Sequence, residues 1–204
     1  MSIALLLTPI GFPTRTAVNL DINALLSSIL GHGPANYHEA IKSKFHPLYD
    51  KILKYWFPAD HYDVCPSWVI PDTSLHGSND SEDYTISFAI TRQQQPLLLL
   101  DVGAPSNFQA TWVRESAIRQ IIYYLDVVGP TNQQAERLYA ISAVGKKWRA
   151  VYVGKGKGSR GVKGIATVNS LRSADLECWN EDITSEASWE VLKGIVETIK
   201  GYNT

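Results

Sequence analysis

Asp83-Tyr-Thr-Ile-Ser-Phe-Ala-Ile90, Thr91-Arg-Gln-Gln-Gln95 and Pro96-Leu-Leu-Leu-Leu-Asp101 run consecutively, and their reading decides the fold. Two apolar runs flank a short polar stretch, the pattern of an antiparallel hairpin turned at 91–95. Such a hairpin sets the start of the first strand beside the end of the second. Asp83 and Asp101, the acids bracketing the runs, should then approach each other. Like charges placed opposite one another are destabilising. A shared divalent cation accounts for the pair, and so does plain solvent exposure. Leu97 to Leu100 is apolar without alternation, which suits a central strand buried on both faces.

Working outward, the tract Thr73-Ser-Leu-His-Gly-Ser-Asn-Asp-Ser-Glu82 reads as a mobile loop leading into Asp83. Ser67-Trp-Val-Ile70 reads as a short strand. Before it, Tyr37, Ile41, Phe45, Leu48, Ile52, Tyr55 and Trp56 recur at helical spacing, with a kink or a break into two helices expected at Pro47. Downstream, a helical pattern runs from about Asn107 to Asp126, and a short helix is read near Gln133 to Arg137. Tyr139–Val144 and Trp148–Val153 read as a second strand pair turned at Gly145-Lys-Lys147. A last helix spans about Ser185 to Lys200, with Val191, Leu192, Ile195, Val196 and Ile199 on one side. Ser185 or Thr184 serves as its cap. Residues 1–34 read as an N-terminal extension with a short helix over 22–30, and residues 35–204 as the domain proper. The fold class is α/β, a mixed central sheet flanked by helices.

Leu100-Asp-Val-Gly-Ala-Pro105 followed by a long helix resembles the restriction-endonuclease-like, or PD-(D/E)XK, superfamily. That family carries an Asp at one strand, an acid-x-Lys at the end of the next, and then a helix. Leu138-Tyr-Ala-Ile-Ser-Ala-Val-Gly145, Trp148-Arg-Ala-Val-Tyr152 and the segment from Trp179 to Ser185 are similar to domains of the superfamily common in fungal proteins. The resemblance covers roughly residues 35–200. It departs from the family at two positions, with Glu82 in place of Pro and Gly103 in place of the catalytic Lys.

The resemblance implies a restriction-endonuclease-like core and a phosphodiesterase site. Asp83 and Asp101 would hold Mg²⁺, and Glu39 on the preceding helix would add a third acid. The metal lowers the pKa of an attacking water, and a cation stabilises the pentavalent phosphate. With Gly103 at the lysine position, that cation must come from Lys147 or Lys146 at a neighbouring turn, where both ammonium groups are expected to be hydrated. Losing one positioned electrostatic group costs about 10²- to 10³-fold. The expected function is therefore a degenerate nuclease-like domain, weakly catalytic or inactive, that binds DNA, RNA or a protein partner. An active Mg²⁺-dependent nuclease and an interaction protein without nucleic acid are the alternatives. Glu115 on the following helix is a candidate migrated acid, but reads first as an i,i+4 partner of Arg119.

Net charge is −1, so no global attraction to polyanions follows. Residues 137–174 nevertheless hold nine of the 19 Lys and Arg and no acid, which reads as an anion-facing surface. Within it Lys155, Lys157 and Arg160 of the glycine-rich loop 154–161, with Lys163 just beyond, suit a nucleic-acid backbone; Trp148 and Tyr152 read first as core residues on a strand, and otherwise as aromatics near enough to stack. The loop lacks the Gly-Lys-Ser/Thr ending of a nucleotide P-loop. Hydrophobic residues make up 45%, enough for a sizeable core. Cys65 and Cys178 have no motif spacing, and an intracellular location, cytoplasmic or nuclear, fits them. No window is apolar enough to span a membrane. The five histidines form no zinc-ligand pattern, since Lys42 breaks the His38-Glu39 start of a zinc-protease motif.

Overall fold

The computed structural model describes residues 37–70, 85–105, 110–129, 137–154, 166–167 and 179–201, with side chains of the first helix from Phe45 onward. All belong to one unit, Pro34–Thr204. The expected extension, the short helix at 22–30, the loop at 73–82 and the helix near 133–137 lie outside the described residues, except that Arg137 opens a strand.

The hairpin forms as its apolar pattern predicts. β2 (Thr85–Arg92) pairs antiparallel with β3 (Gln95–Gly103), and Phe88 faces Leu100. Its turn is tighter than the five-residue stretch expected. Gln93 and Gln94 make it alone, at φ 49° and 63°. Two successive left-handed residues give a turn whose twist matches that of the strands. Glutamine is an uncommon choice there, so the turn was hard to see in the sequence. The register slips by one between Ile90 and Thr91, beside Pro96, which has no N–H to give the ladder.

β1 (Asp63–Val69) pairs with β2 along most of its length, four residues earlier at its start than the expected strand. Pro66 hides the strand in the sequence but is tolerated because β1 stands at the sheet edge. From β3 the chain crosses through α2 (Thr111–Val128) to β4 (Arg137–Val144), which lies parallel to β3. β4 and β5 (Lys147–Gly154) then form a second antiparallel hairpin. Two short strands, β6 (Ala166–Thr167) and β7 (Glu181–Asp182), both pair with β5. The result is a seven-stranded mixed sheet whose main path follows chain order from β1 to β6.

Helices cover both faces. On one face α2 lays Ile121, Tyr124, Leu125 and Val128 over Leu99, Ala140 and Val151. On the other, α1 (Tyr37–Trp56) sets the His46 ring 5.4 Å from Phe88. α3 (Glu186–Gly201) joins α1 there, with Trp189 and Trp56 centroids 5.2 Å apart. α1 does not break at Pro47, which lies within it on the exposed side. The N-cap of α3 is Ser185, whose Oγ accepts the Ser188 N–H at 3.2 Å. Trp189, Leu192, Ile195, Val196 and Ile199 form its buried side, while Val191 is only half-buried. None of the described helices is long and apolar enough to cross a membrane.

The second hairpin is locked to α1. Gly145 turns it at φ 63°, and a Cβ there would come within 2.8 Å of the Pro105 ring. The buried Tyr49 hydroxyl donates to the Gly145 carbonyl at 2.9 Å, across 96 residues of sequence. Burial foremost, then the nearby Asp182 charge, pushes the Tyr49 phenol far up, so it stays a neutral donor.

Candidate functional site

Strand register builds the site. Residues directly opposite in a sheet share a face, and alternate residues along a strand share it too. On the α2 face, Leu99, Ala140 and Val151 make one apolar row across β3, β4 and β5. The next row is polar: Asp101 beside Ser142, and Ser142 beside Arg149. Continuing the hairpin register puts Ser87 of β2 at its other end. The row after that is Gly103, Val144, Lys147 and Asp182.

Asp101 belongs to β3 itself rather than following it, because its neighbours keep their ladder pairs past Leu100. It is half-buried. The Ser87 hydroxyl donates to its Oδ1 at 3.1 Å and accepts the Val102 N–H at 3.0 Å, so the carboxylate is held in one orientation. Ser87, Ser142 and Arg149 are all buried. Arg149 and Ser142 line a small cavity under α2 with Ile118, Ile121, Val151 and Trp179.

Gly103 lies one residue pair further, on the same face as Asp101. A Cβ there would meet the Ala143 carbonyl oxygen and Val144 Cγ2 at 3.5 Å, ordinary contact distances. The position therefore has room for a Cβ. Lys147 shares its row two strands away, about 10 Å by strand spacing. It is not left simply hydrated at the turn. Its side chain is 44% exposed, and its Nζ stands 3.4 Å from Asp182 Oδ2. Lys146 is exposed, and its carbonyl accepts the Ile183 N–H at 2.9 Å.

Burial by itself would raise the Asp182 carboxyl. Hydrogen bonds from the Thr184 hydroxyl and N–H at 2.6 and 2.9 Å, and then the Lys147 ammonium, outweigh it and hold the group below the usual carboxylate range. A carboxyl lowered in the folded state contributes stability that is present above its unfolded pKa of about 4 and lost as pH falls through the folded value. The melting temperature should therefore drop on acidification below about pH 4, and Asp182→Asn should flatten that part of the profile. An unaltered profile in the variant would assign the acid sensitivity to other carboxyls.

Of the residues read from the sequence, Asp101 and Lys147 are placed, on one sheet face and in adjacent rows. Glu39 is in the first turn of α1, but its side chain lies outside the described residues, as do Asp83, Lys155, Lys157, Arg160 and Lys163. Glu115 and Arg119 approach to 3.8 Å as their spacing predicts. Gln120 bonds the Tyr124 hydroxyl. Trp148 and Tyr152 are buried in the core, as residues of a strand, and do not offer a stacking surface. Instead the Arg137 guanidinium lies 5.3 Å from the Tyr152 ring centroid. Arg137 and Arg149, two of the nine cations in the acid-free stretch, are likewise inside the fold.

Sequence reasoning missed Ser87, Ser142 and Arg149. Each is a lone polar residue on an apolar strand, and only pairing aligns them. Among the described residues no three His, Cys, Asp or Glu side chains converge as a metal-binding group. No family model matches this chain, and no curated protein or solved structure matches it either.

Proposed function

We propose that this chain is a degenerate nuclease-like domain, weakly catalytic or inactive, which binds nucleic acid without turning it over efficiently. The observation that carries the reading is the pair of rows at the end of β3. The first presents an oriented acid, Asp101, between the hydroxyls of Ser87 and Ser142. The second has Gly103 where a positioned cation is needed, and its lysine is tied to Asp182. The order helix, hairpin, crossover helix and parallel strand agrees with the same reading.

Mg²⁺ prefers six oxygens in near-octahedral geometry and keeps several waters. Asp101 alone brings one carboxylate, with Oδ1 already accepting from Ser87. A metal there needs Asp83, and Glu39 if it reaches, to complete the set. When bound, the ion would acidify an attacking water. The chain's own part would be Asp101 as ligand and Ser87 as the group that aims it. Lys155, Lys157, Arg160 and Lys163 would hold the phosphate backbone.

The test has two arms on the pure protein. Mg²⁺- or Mn²⁺-dependent cleavage of single- and double-stranded DNA and RNA should be absent or feeble. Binding should weaken on replacing Lys155, Lys157, Arg160 and Lys163 together. The log–log salt slope on duplex DNA should then shrink by about 3 to 4, as four fewer phosphates are neutralised. Robust turnover lost in both Asp83→Ala and Asp101→Ala would instead establish the active nuclease. Unchanged binding and slope would place the contact surface elsewhere.

A further inference from the structure

The outward face of α2 takes no part in the site. Two large aromatics stand on it in solvent, Trp112 at 69% and Tyr123 at 42% exposure. They are separated by close to three helical turns, about 16 Å along the axis, so they share one stripe. Exposed Ser116 and Arg119 lie between them, with Glu115 alongside. The buried face is the opposite one, with Ile118, Ile121, Leu125 and Val128. Single exposed apolar residues are ordinary; here two large aromatics are aligned on one helix face.

The charges choose among occupants. Arg119 faces Glu115 at 3.8 Å, and Asp126 is exposed about two turns further on. This stripe carries no excess of positive charge, so a polyanion has little to hold. It is, however, complementary to itself. Turning a second α2 antiparallel about an axis near Ala117 and Ile118 sets Trp112 of one copy against Tyr123 of the other. The same rotation brings Glu115 of each copy within one residue of register with Arg119 of the other, about 1.5 Å along the axis. Ser116, a small residue near the centre, lets the helices approach. The intrahelical Glu115–Arg119 pair is exposed and weak, so its partners can exchange across the axis. A two-fold contact needs just this self-matching patch.

We propose that the α2 stripe is the docking surface for a second copy of this chain, in an antiparallel two-fold pair centred near Ala117. This does not depend on the nuclease-like reading. Sedimentation equilibrium of the full chain over a wide concentration range should show a reversible monomer–dimer equilibrium. Trp112→Ala removes a large aromatic from both copies and should lower the association constant about 100-fold or more. Glu115→Arg and Arg119→Glu should each suppress self-association by placing like charges across the axis. Mixing these two variants should restore association as a one-to-one heterodimer, because each copy then supplies the sign the other lacks. Circular dichroism of every variant should match the parent, since all three side chains are solvent-facing. A chain that stays monomeric throughout would overturn the proposal. So would a dimer indifferent to Trp112→Ala and to both charge reversals.

Discussion

Gly103→Lys is expected to raise Mg²⁺-dependent cleavage about 10²- to 10³-fold over the natural chain, the gain typical of one positioned electrostatic group. The backbone can accept the change. Gly103 has no left-handed φ, and its Cβ would sit 3.5 Å from its nearest neighbours, without displacing them. The new side chain would leave β3 on the same face as Asp101, two residues earlier. It would supply charge where Lys147, held 3.4 Å from Asp182, does not. Three controls separate charge from packing. Gly103→Met should give a stem without the gain. Adding Asp101→Ala to Gly103→Lys should remove it. Thermal unfolding should show all three variants folded. A folded Gly103→Lys chain with no cleavage would mean that the acids cannot assemble a metal site, and the nuclease-like reading would lose its chemical basis.

The largest effect on stability is expected from Trp56→Ala, about 3–5 kcal/mol. Trp56 is 2% exposed, and it joins two helices that meet nowhere near each other in sequence. Its ring lies 5.2 Å from that of Trp189 and 5.6 Å from that of Tyr55. Truncation leaves a cavity between α1 and α3 that rigid neighbours fill only in part. Against a typical total of about 5–15 kcal/mol, this brings the domain close to unfolding. Trp56→Phe should cost far less. The indole N–H is buried without a hydrogen-bond partner, so losing it removes a desolvated donor along with some contact area. Urea midpoints at unchanged m-values would measure both. Equal losses for the two variants would show that the indole's polar edge contributes more than the structure indicates.

Local pattern made much of this architecture readable. The apolar runs flanking 91–95 announce a hairpin, Leu97–Leu100 announces a central strand, and helical spacing marks all three described helices. Ser185 caps the last of them as its residue type suggests. These signals depend on residues close in sequence, whose physical causes are local: side-chain period, backbone φ and orphan N–H groups. The misread boundaries have local causes too. Gln93 and Gln94 adopt left-handed φ without being Gly or Asn, and Pro66 disguises an edge strand.

The site was legible only as a list of residue types. Asp101 stood out because it ends an apolar run before a helix. Register, which no single strand encodes, decided the rest. Pairing β3 with β4 and β4 with β5 aligned Asp101 with Ser142 and Arg149, and Gly103 with Lys147. It also took Lys147 from a hydrated turn into a pair with Asp182, two segments later in the chain. Arg137 and Arg149 read as parts of a basic surface, while Trp148 and Tyr152 read first as core residues and otherwise as stacking aromatics. Burial between sheet and helices turned all four inward, because apolar area dominates which face of a strand is covered. The sequence by itself thus determined the elements and the glycine that follows Asp101-Val102. Only the tertiary structure decided which charges remain at the surface, and that a Cβ at Gly103 would meet its neighbours at ordinary contact distance, because both depend on which strands pair.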